Sequence, residues 1–280
     1  MGAEHFDLMH AVAGLLVGVA VGLTGVGGGS LMTPVLVLLF GVSPQTAVGT
    51  DLIFAASTKT FGSAVHGWRE TVDWRIVRRL AAGSLPAAGV TLYWLGNSAR
   101  PGGEAQQIML LVLASMLLLT AVAVIFQRQL IGLARRRRHT EAEAEARVWP
   151  TVLLGVVVGT VVSISSVGAG AIGVTALLML YPGLPIARIV GSDIAHAVPL
   201  TLVAGVGHWI IGDVNVTLLL NLLVGSVPGV VLGSLLATRA SDNWLRPALA
   251  AVLLFSGWQL MLKATQPVKA AKVAAVKVVK

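Results

Sequence analysis

The chain has 280 residues, of which 56% are hydrophobic and only 11% are charged. Soluble globular domains usually carry about 25% charged residues, so this composition requires lipid rather than water as the surrounding solvent. The formal net charge of +8 comes from basic residues that lie almost entirely in polar segments and in the C-terminal tail. Basic residues in such positions orient a membrane protein, and we expect no nucleic-acid partner.

The chain contains no cysteine, which excludes disulfide bonds, thiol catalysis and iron–sulfur chemistry. The N-terminal sequence MGAEHFDLMH lacks a basic region, and we expect the first apolar segment to remain in the protein as an uncleaved segment. No segment shows the alternation of period two that is typical of transmembrane barrel strands. We therefore predict an all-α polytopic membrane protein.

Apolar residues cluster in eight blocks along the chain. The blocks comprise residues 8–40, 47–66, 76–95, 107–126, 149–181, 190–211, 218–237 and 245–262. A polar and charged stretch that no bilayer core would accept separates the first four blocks from the last four. We predict a first membrane repeat at 1–127, a basic and acidic cytoplasmic linker at 128–148, a second membrane repeat at 149–262 and a lysine-rich tail at 263–280.

The two halves align with each other without a gap. A constant displacement superimposes Asp51 on Asp193 and Gly28 on Gly170. Hydrophobic composition alone does not produce matched acids and glycines. Internal duplication is a recurrent feature of secondary transporters, in which the substrate site lies between the repeats.

The first block of each half is too long for one bilayer span. A single helix over residues 8–40 would be about 50 Å long, whereas the hydrocarbon core is about 30 Å thick. Both blocks contain glycine and small polar residues near the middle, TGVGGGS at 24–30 and SISSVGAG at 163–170. We predict that each block is a re-entrant pair of half-helices; the alternative is one long helix with closely packed glycines.

These two interpretations predict different topologies. Re-entrant hairpins leave three full spans per half and produce inverted repeats, whereas single long helices produce four spans per half and parallel repeats. Inversion places nearly all basic loop residues on the cytoplasmic side, although the lysines of the tail favour the opposite arrangement. The loop at 212–217, GDVNVT, has no basic residue, and we expect it on the periplasmic side.

Lys59 is the foremost candidate for binding chemistry, because a charged residue inside an apolar span is costly and is usually functional. Asp51 and His66 lie about two helical turns before and after it, so the three side chains can share one helix face. A cation with an acid and an imidazole beside it suits an anion site with a proton-linked switch. The alternative is that Lys59 extends to the interface or forms a purely structural ion pair.

The second half supplies Asp193 and His196, and its His208 corresponds to His66 of the first half. We predict that these acids and histidines couple transport to protons or organise the site; for the two equivalent histidines the alternative is an interfacial position at a segment end. Asp193 is the predicted proton carrier, because its half lacks an intramembrane lysine. Asp51 is predicted to accompany the lysine of its own half.

The glycine break of the first half can form an anion cradle. A half-helix that starts there would direct unpaired backbone N–H groups and its positive dipole end towards the bilayer centre. The residues predicted to bind substrate are Gly27, Gly28, Gly29, Ser30, Thr50, Lys59, Gly170 and Ser192. The stretch matches neither a dinucleotide fingerprint nor a P-loop, and no HExxH motif occurs, so we expect no cofactor, no metal and no enzymatic activity.

The segments GVGGGSLMTPVLVLLFGVSPQTAVGTDL and GAGAIGVTALLMLYPGLPIARIVGSDIAHA resemble the TauE/SafE sulfite exporter family. The resemblance implies a multi-pass permease of the bacterial inner membrane with duplicated halves, which carries sulfite, sulfonates or other small sulfur-containing anions. The second half has Ala169 and Ala171 where the first has Gly27 and Gly29, so the resemblance is weaker at its cradle.

Residues and resemblance together predict a secondary transporter of a small anion, sulfite or an organosulfonate, bound between the repeats near the bilayer midplane. The alternatives are an anion channel and a carrier of an unrelated small organic anion. The expected partners are the anionic substrate and the lipid bilayer. Proton coupling and a homo-oligomer are both compatible with the sequence.

Overall fold

A computed structural model describes residues 7–24, 29–68, 72–98, 103–136, 147–168, 170–237 and 242–265. All regular secondary structure in these ranges is helical, so the prediction of an all-α protein is confirmed. The helices are α1 (Leu8–Thr24), α2 (Gly29–Leu38), α3 (Pro44–Trp68), α4 (Trp74–Ser98), α5 (Gly103–Arg136), α6 (Val148–Ser165), α7 (Ala171–Leu180), α8 (Ile186–Ile211), α9 (Val216–Ala237) and α10 (Asp242–Thr265).

Five of these helices are long and apolar enough to cross a bilayer. Their candidate spans are Gln106–Phe126, Val148–Ser165, Ile186–Ile211, Val216–Leu236 and Leu245–Thr265. Helices α3 and α4 have 25 residues each, which also suffices for a span, but α3 contains Asp51 and Lys59 and α4 begins with several arginines. The chain is therefore a multi-pass membrane protein.

Each of the two long apolar blocks contains two helices. In the first half α1 ends at Thr24 and α2 begins at Gly29; in the second half α6 ends at Ser165 and α7 begins at Ala171. The second break contains Gly168 and Gly170, whose φ angles of 128° and 138° are readily adopted only by glycine. Glycine here is therefore a requirement of the backbone.

Helix α5 is longer than its apolar block predicts. The linker was expected to begin at residue 128, but α5 continues to Arg136. The stretch QRQLIGLARR contains no proline, and glutamine, leucine and arginine are good helix formers. The charged residues of the predicted linker therefore do not end the helix.

The end of each short helix lies beside the start of the helix that precedes it. In the first half the rings of His10 and Phe40 stack with their centroids 4.4 Å apart. In the second half the hydroxyl groups of Thr151 and Tyr181 are 2.5 Å apart, and Arg147 donates a hydrogen bond to the Leu180 carbonyl.

Glycines allow two pairs of helices to approach closely. A Cβ at Gly18 of α1 would clash with the backbone of Ser226 in α9, and a Cβ at Gly159 of α6 would lie 2.7 Å from the Cα of Ser84 in α4. Small residues at such crossings maximise van der Waals contact, because apolar burial gives no net gain between helices in lipid.

The main helix contacts join one half of the chain to the other. They are α1 with α9, α4 with α6, α3 with α8, and α5 with α10. The set of pairs is symmetric: if each helix is replaced by its counterpart in the other half, the same four pairs result. The central pair, α3 and α8, runs antiparallel, since Gly49 of α3 contacts His208 near the end of α8, whereas Ile53 contacts Gly205.

Candidate functional site

The candidate site lies along the crossing of α3 and α8, where the start of α2 also meets the break between α6 and α7. Helix α2 begins at Gly29, and a Cβ there would lie 2.9 Å from the Ser166 hydroxyl in the second break. Only glycine allows the start of α2 to approach this break so closely. The contact brings parts of both glycine-rich segments beside the polar residues of α3.

Asp51 is fully buried next to this contact. Thr33 of α2 donates a hydrogen bond of 2.6 Å to its Oδ2, and the Ser166 side chain also lies beside the carboxyl group. Among the described residues, neither Asp51 Oδ1 nor Ser166 Oγ has a hydrogen-bond partner. Buried polar atoms are rarely left unpaired, and the Ser166 hydroxyl lies close enough to the Asp51 carboxyl group to act on it as a hydrogen-bond donor.

Lys59 lies two turns further along α3, between the two buried acids. Its ammonium group interacts electrostatically with Asp193 and, less strongly, with Asp51. Within the described part of the chain it forms no direct ion pair. Its side chain is partly exposed although protein surrounds it. A deep cation without a contacting counter-ion is costly, and an anion would relieve this cost.

Lys59 interacts with one buried acid of each half. Asp51 lies about 12 Å away along the axis of α3, and Asp193 of the other half has the stronger electrostatic interaction with the ammonium group. That Asp51 accompanies Lys59 in the site stays a prediction.

Asp193 is buried in α8 and packs against Gly173 of α7. A Cβ at Gly173 would lie 3.3 Å from the Asp193 Cγ and would clash with one carboxylate oxygen. One turn along α8, His196 is also buried, and its Nε2 lies 2.7 Å from the Ser84 hydroxyl of α4. Its Nδ1 has no partner within the described residues. Lys59 also acts electrostatically on this imidazole.

The remaining predicted residues occupy different positions. The hydroxyl groups of Thr50 and Ser192 accept hydrogen bonds from backbone N–H groups of the opposite half. Ser30 is buried at the start of α2, and Gly170 precedes α7. Gly27, Gly28 and the side chain of His66 lie outside what the structure describes.

His208 is fully buried rather than exposed at an interface. Its Nε2 donates to the Ser163 carbonyl at 2.8 Å, and its Nδ1 lies 3.1 Å from Asp213 Oδ2. It therefore joins the end of α8 to α6 near the second break. Both nitrogens have partners in the protein, so His208 is less available to a substrate than His196.

Sequence reasoning missed several small residues that lie beside the acids or beside His196. These are Thr33, Ser84, Ser166 and Gly173. A signal existed for two of them, because Thr33 and Ser84 align with Thr175 and Ser226 in the other half. No local pattern distinguishes Ser166 or Gly173 from other small residues of membrane helices.

Metal coordination has no support in the described ranges, where no group of three or more His, Cys, Asp or Glu side chains could hold an ion. Within the same ranges, the cluster combines the cation of Lys59 with two carboxyl groups and with His196 Nδ1, a buried atom that has no hydrogen-bond partner there.

Comparison with known proteins relates this chain to membrane transporters. The family model for the sulfite exporter TauE/SafE matches residues 10–260. The probable membrane transporter protein YjnA of Bacillus subtilis is 38% identical over 248 residues, which cover 89% of this chain and 97% of that protein. A probable membrane transporter protein of Xylella fastidiosa is 29% identical over 82% of this chain and 85% of its own length. No solved structure matches.

The family match covers all the helices that form the candidate site, and the relatives match over nearly their whole length. The fold described above is helical and multi-pass, as a membrane transporter requires. The chain is a member of the TauE/SafE family of membrane transporters.

Proposed function

We propose that this protein is a secondary transporter of the inner membrane that binds a small anion, sulfite or an organosulfonate, beside Lys59 between the two halves. The observation that carries the proposal is the Lys59 ammonium, which protein surrounds and which has no contacting counter-ion among the residues that the structure describes. His196 Nδ1, on whose ring Lys59 acts electrostatically, is a buried polar atom without a partner among the described residues and is a candidate donor. A sulfur oxyanion can accept several hydrogen bonds at once, so it could bind the ammonium group and a further donor together.

Charge balance implies that a proton accompanies the anion. With both acids ionised, Asp51, Asp193 and Lys59 carry a net negative charge, which would repel an anion. The anion and the Asp193 carboxylate therefore compete for the same ammonium group. When the anion binds to Lys59, Asp193 loses its attraction to the cation and takes up one proton, so that anion and proton move together.

The proposed topology has two re-entrant hairpins, α1–α2 and α6–α7, in inverted repeats. Contacts between the start of the first helix and the end of the second support this in each half, through His10 with Phe40 and Thr151 with Tyr181. The symmetric pairing of helices between the halves supports the repeat. The half-helices α2 and α7 would then begin near the bilayer midplane, where their positive dipole ends favour an anion.

Counterflow in proteoliposomes tests the proposed transport mechanism. Vesicles loaded with unlabelled sulfite should transiently accumulate labelled sulfite against its gradient, because a carrier exchanges substrate one molecule at a time. An anion channel would equilibrate the label without overshoot. Absence of overshoot with sulfite and with every organosulfonate tested would contradict the proposal of a sulfur-anion carrier.

A thermal-shift screen of the purified protein identifies the anion class. Sulfite, thiosulfate, sulfoacetate and taurine should be compared with sulfate and with small carboxylates at equal ionic strength. Ligands that bind the folded state raise its unfolding temperature by mass action. Stabilisation by carboxylates alone would favour a carrier of unrelated organic anions.

A further inference from the structure

Two hydrogen bonds between the halves occupy equivalent positions in the repeat. The backbone N–H of Asn215 donates to Thr50 Oγ1 at 3.1 Å, and the backbone N–H of Asp73 donates to Ser192 Oγ at 2.8 Å. The displacement that aligns the halves superimposes Thr50 on Ser192 and Asp73 on Asn215. Both hydroxyl-bearing residues are fully buried. The two bonds are thus equivalent contacts. In one the second half donates to the first, and in the other the first half donates to the second.

The donors of these bonds are the residues that cap the next helices. Asp73 accepts the Arg75 N–H at its Oδ1 at 3.0 Å and caps α4. Asn215 accepts the Leu218 N–H at its Oδ1 at 2.9 Å and caps α9. A side chain that caps the helix leaves the backbone N–H of the same residue free to bond elsewhere. Each bond therefore ties the start of one helix to α3 or α8.

The two bonds lie at opposite ends of the central crossing, because α3 and α8 run antiparallel. Thr50 directly precedes Asp51, and Ser192 directly precedes Asp193. At the Thr50 end, Gly49 also packs against Asp213 of the loop before α9. At the Ser192 end, the Ser192 hydroxyl is fully used, since it also donates to the Arg188 carbonyl at 2.7 Å.

We propose that Thr50 and Ser192 are positioning residues rather than substrate ligands, and that their two bonds close opposite ends of the pathway and open alternately. The inference builds on the proposed transport function, since only a carrier must open its ends in turn. Asp51 and Asp193 each lie one residue after the hydroxyl-bearing residue of one of these bonds. An anion bound beside Lys59 can therefore act on the Thr50 end through the two turns of α3 that separate Lys59 from Asp51, and on the Ser192 end through Asp193.

Disulfide cross-linking tests this directly, because the natural chain has no cysteine. The double variants are Thr50→Cys with Asn215→Cys, and Ser192→Cys with Asp73→Cys. A side chain already in contact with the partner backbone is compatible with the Cα separation that a disulfide needs. Each oxidised variant should still bind sulfite in the thermal-shift assay but exchange it at least about tenfold more slowly than its reduced form. Equal exchange by oxidised and reduced protein would overturn the proposal.

Side-specific labelling supplies a measurement that does not depend on transport. Ala55→Cys and Ala197→Cys serve as reporters, because both alanines are buried at repeat-equivalent positions with 1% exposure. Thr50→Val should accelerate labelling by an impermeant maleimide about tenfold, only from the side of the loop before α9, since an unpaired buried N–H weakens the closure. Ser192→Ala should do so only from the opposite side.

The controls separate positioning from general loosening. Thr50→Ser keeps the hydroxyl and should restore the slow labelling of the parent. Thr120→Val removes a buried hydroxyl that bonds within its own helix, to the Met116 carbonyl, and should leave labelling unchanged. Acceleration from both sides at once, or from neither, would refute the two closures. Failure of the wild-type protein to exchange any anion would instead refute the transport function, whatever the labelling pattern.

Discussion

Replacement of Lys59 by alanine removes the only positive charge that the structure describes between the two buried acids. Unit charges about 4 Å apart attract each other by about 4 kcal/mol at an effective dielectric constant near 20. Part of this attraction between anion and ammonium is offset, because without an anion the ammonium already interacts with Asp193. A net loss of about 2–3 kcal/mol corresponds to anion binding that is weaker by ~30- to 100-fold.

The fold should survive this change. Lys59 forms no direct ion pair within the described residues, so its removal leaves no contact partner stranded. The two acids can become neutral by taking up protons, which is the usual response of buried carboxyl groups that lack a cation. We expect the unfolding temperature without ligand to change by only a few degrees.

Titration calorimetry and thermal shift with sulfite measure the effect. Thr60→Val is the matched control, because Thr60 follows Lys59 on α3 and its hydroxyl bonds within the helix to the Ala56 carbonyl at 2.7 Å. The control should bind sulfite as the wild type does. Sulfite binding by Lys59→Ala with unchanged affinity would refute the assignment of the site to this ammonium group.

Three further predictions follow from other contacts. Asp193→Asn should abolish the pH dependence of transport while retaining exchange, because the proposed proton acceptor is lost; an unchanged pH profile in reconstituted vesicles would contradict this. Gly173→Ala should lower the free energy of unfolding by about 1–3 kcal/mol, since a methyl group there meets a carboxylate oxygen, whereas Gly89→Ala, with open space around it, should be neutral in thermal unfolding. A single cysteine between α8 and α9, within residues 212–217, should label from the periplasm, and one between α7 and α8, within residues 182–189, should not; the reverse pattern would favour parallel repeats.

Residue types and their spacing along the chain were sufficient to predict the all-α class and most of the helix positions. Apolar runs of adequate length in a chain with few charges have no stable alternative to membrane helices. The break between α6 and α7 was also predictable, because a single helix over this block would exceed the bilayer thickness. Lys59 became a candidate for a similar reason, since a cation within an apolar span is costly.

The extent of α5 and the role of several polar residues were not predictable in this way. Charge excludes a segment from the hydrocarbon core but does not end a helix, so α5 continues to Arg136. Thr50 and Ser192 have the composition of site residues, yet their hydroxyl groups are engaged by backbone N–H groups of the opposite half.

The sequence by itself determined which side chains are too costly to bury without a purpose, because that cost depends on residue type and depth in the membrane. Only the tertiary structure decided which of them meet. Lys59 interacts electrostatically with Asp193 more strongly than with Asp51, and Ser166 lies beside Asp51, because helices from different halves pack against each other at this point. Such contacts join residues more than a hundred positions apart, and the free energy that selects them comes from packing of helix surfaces, which no local pattern records.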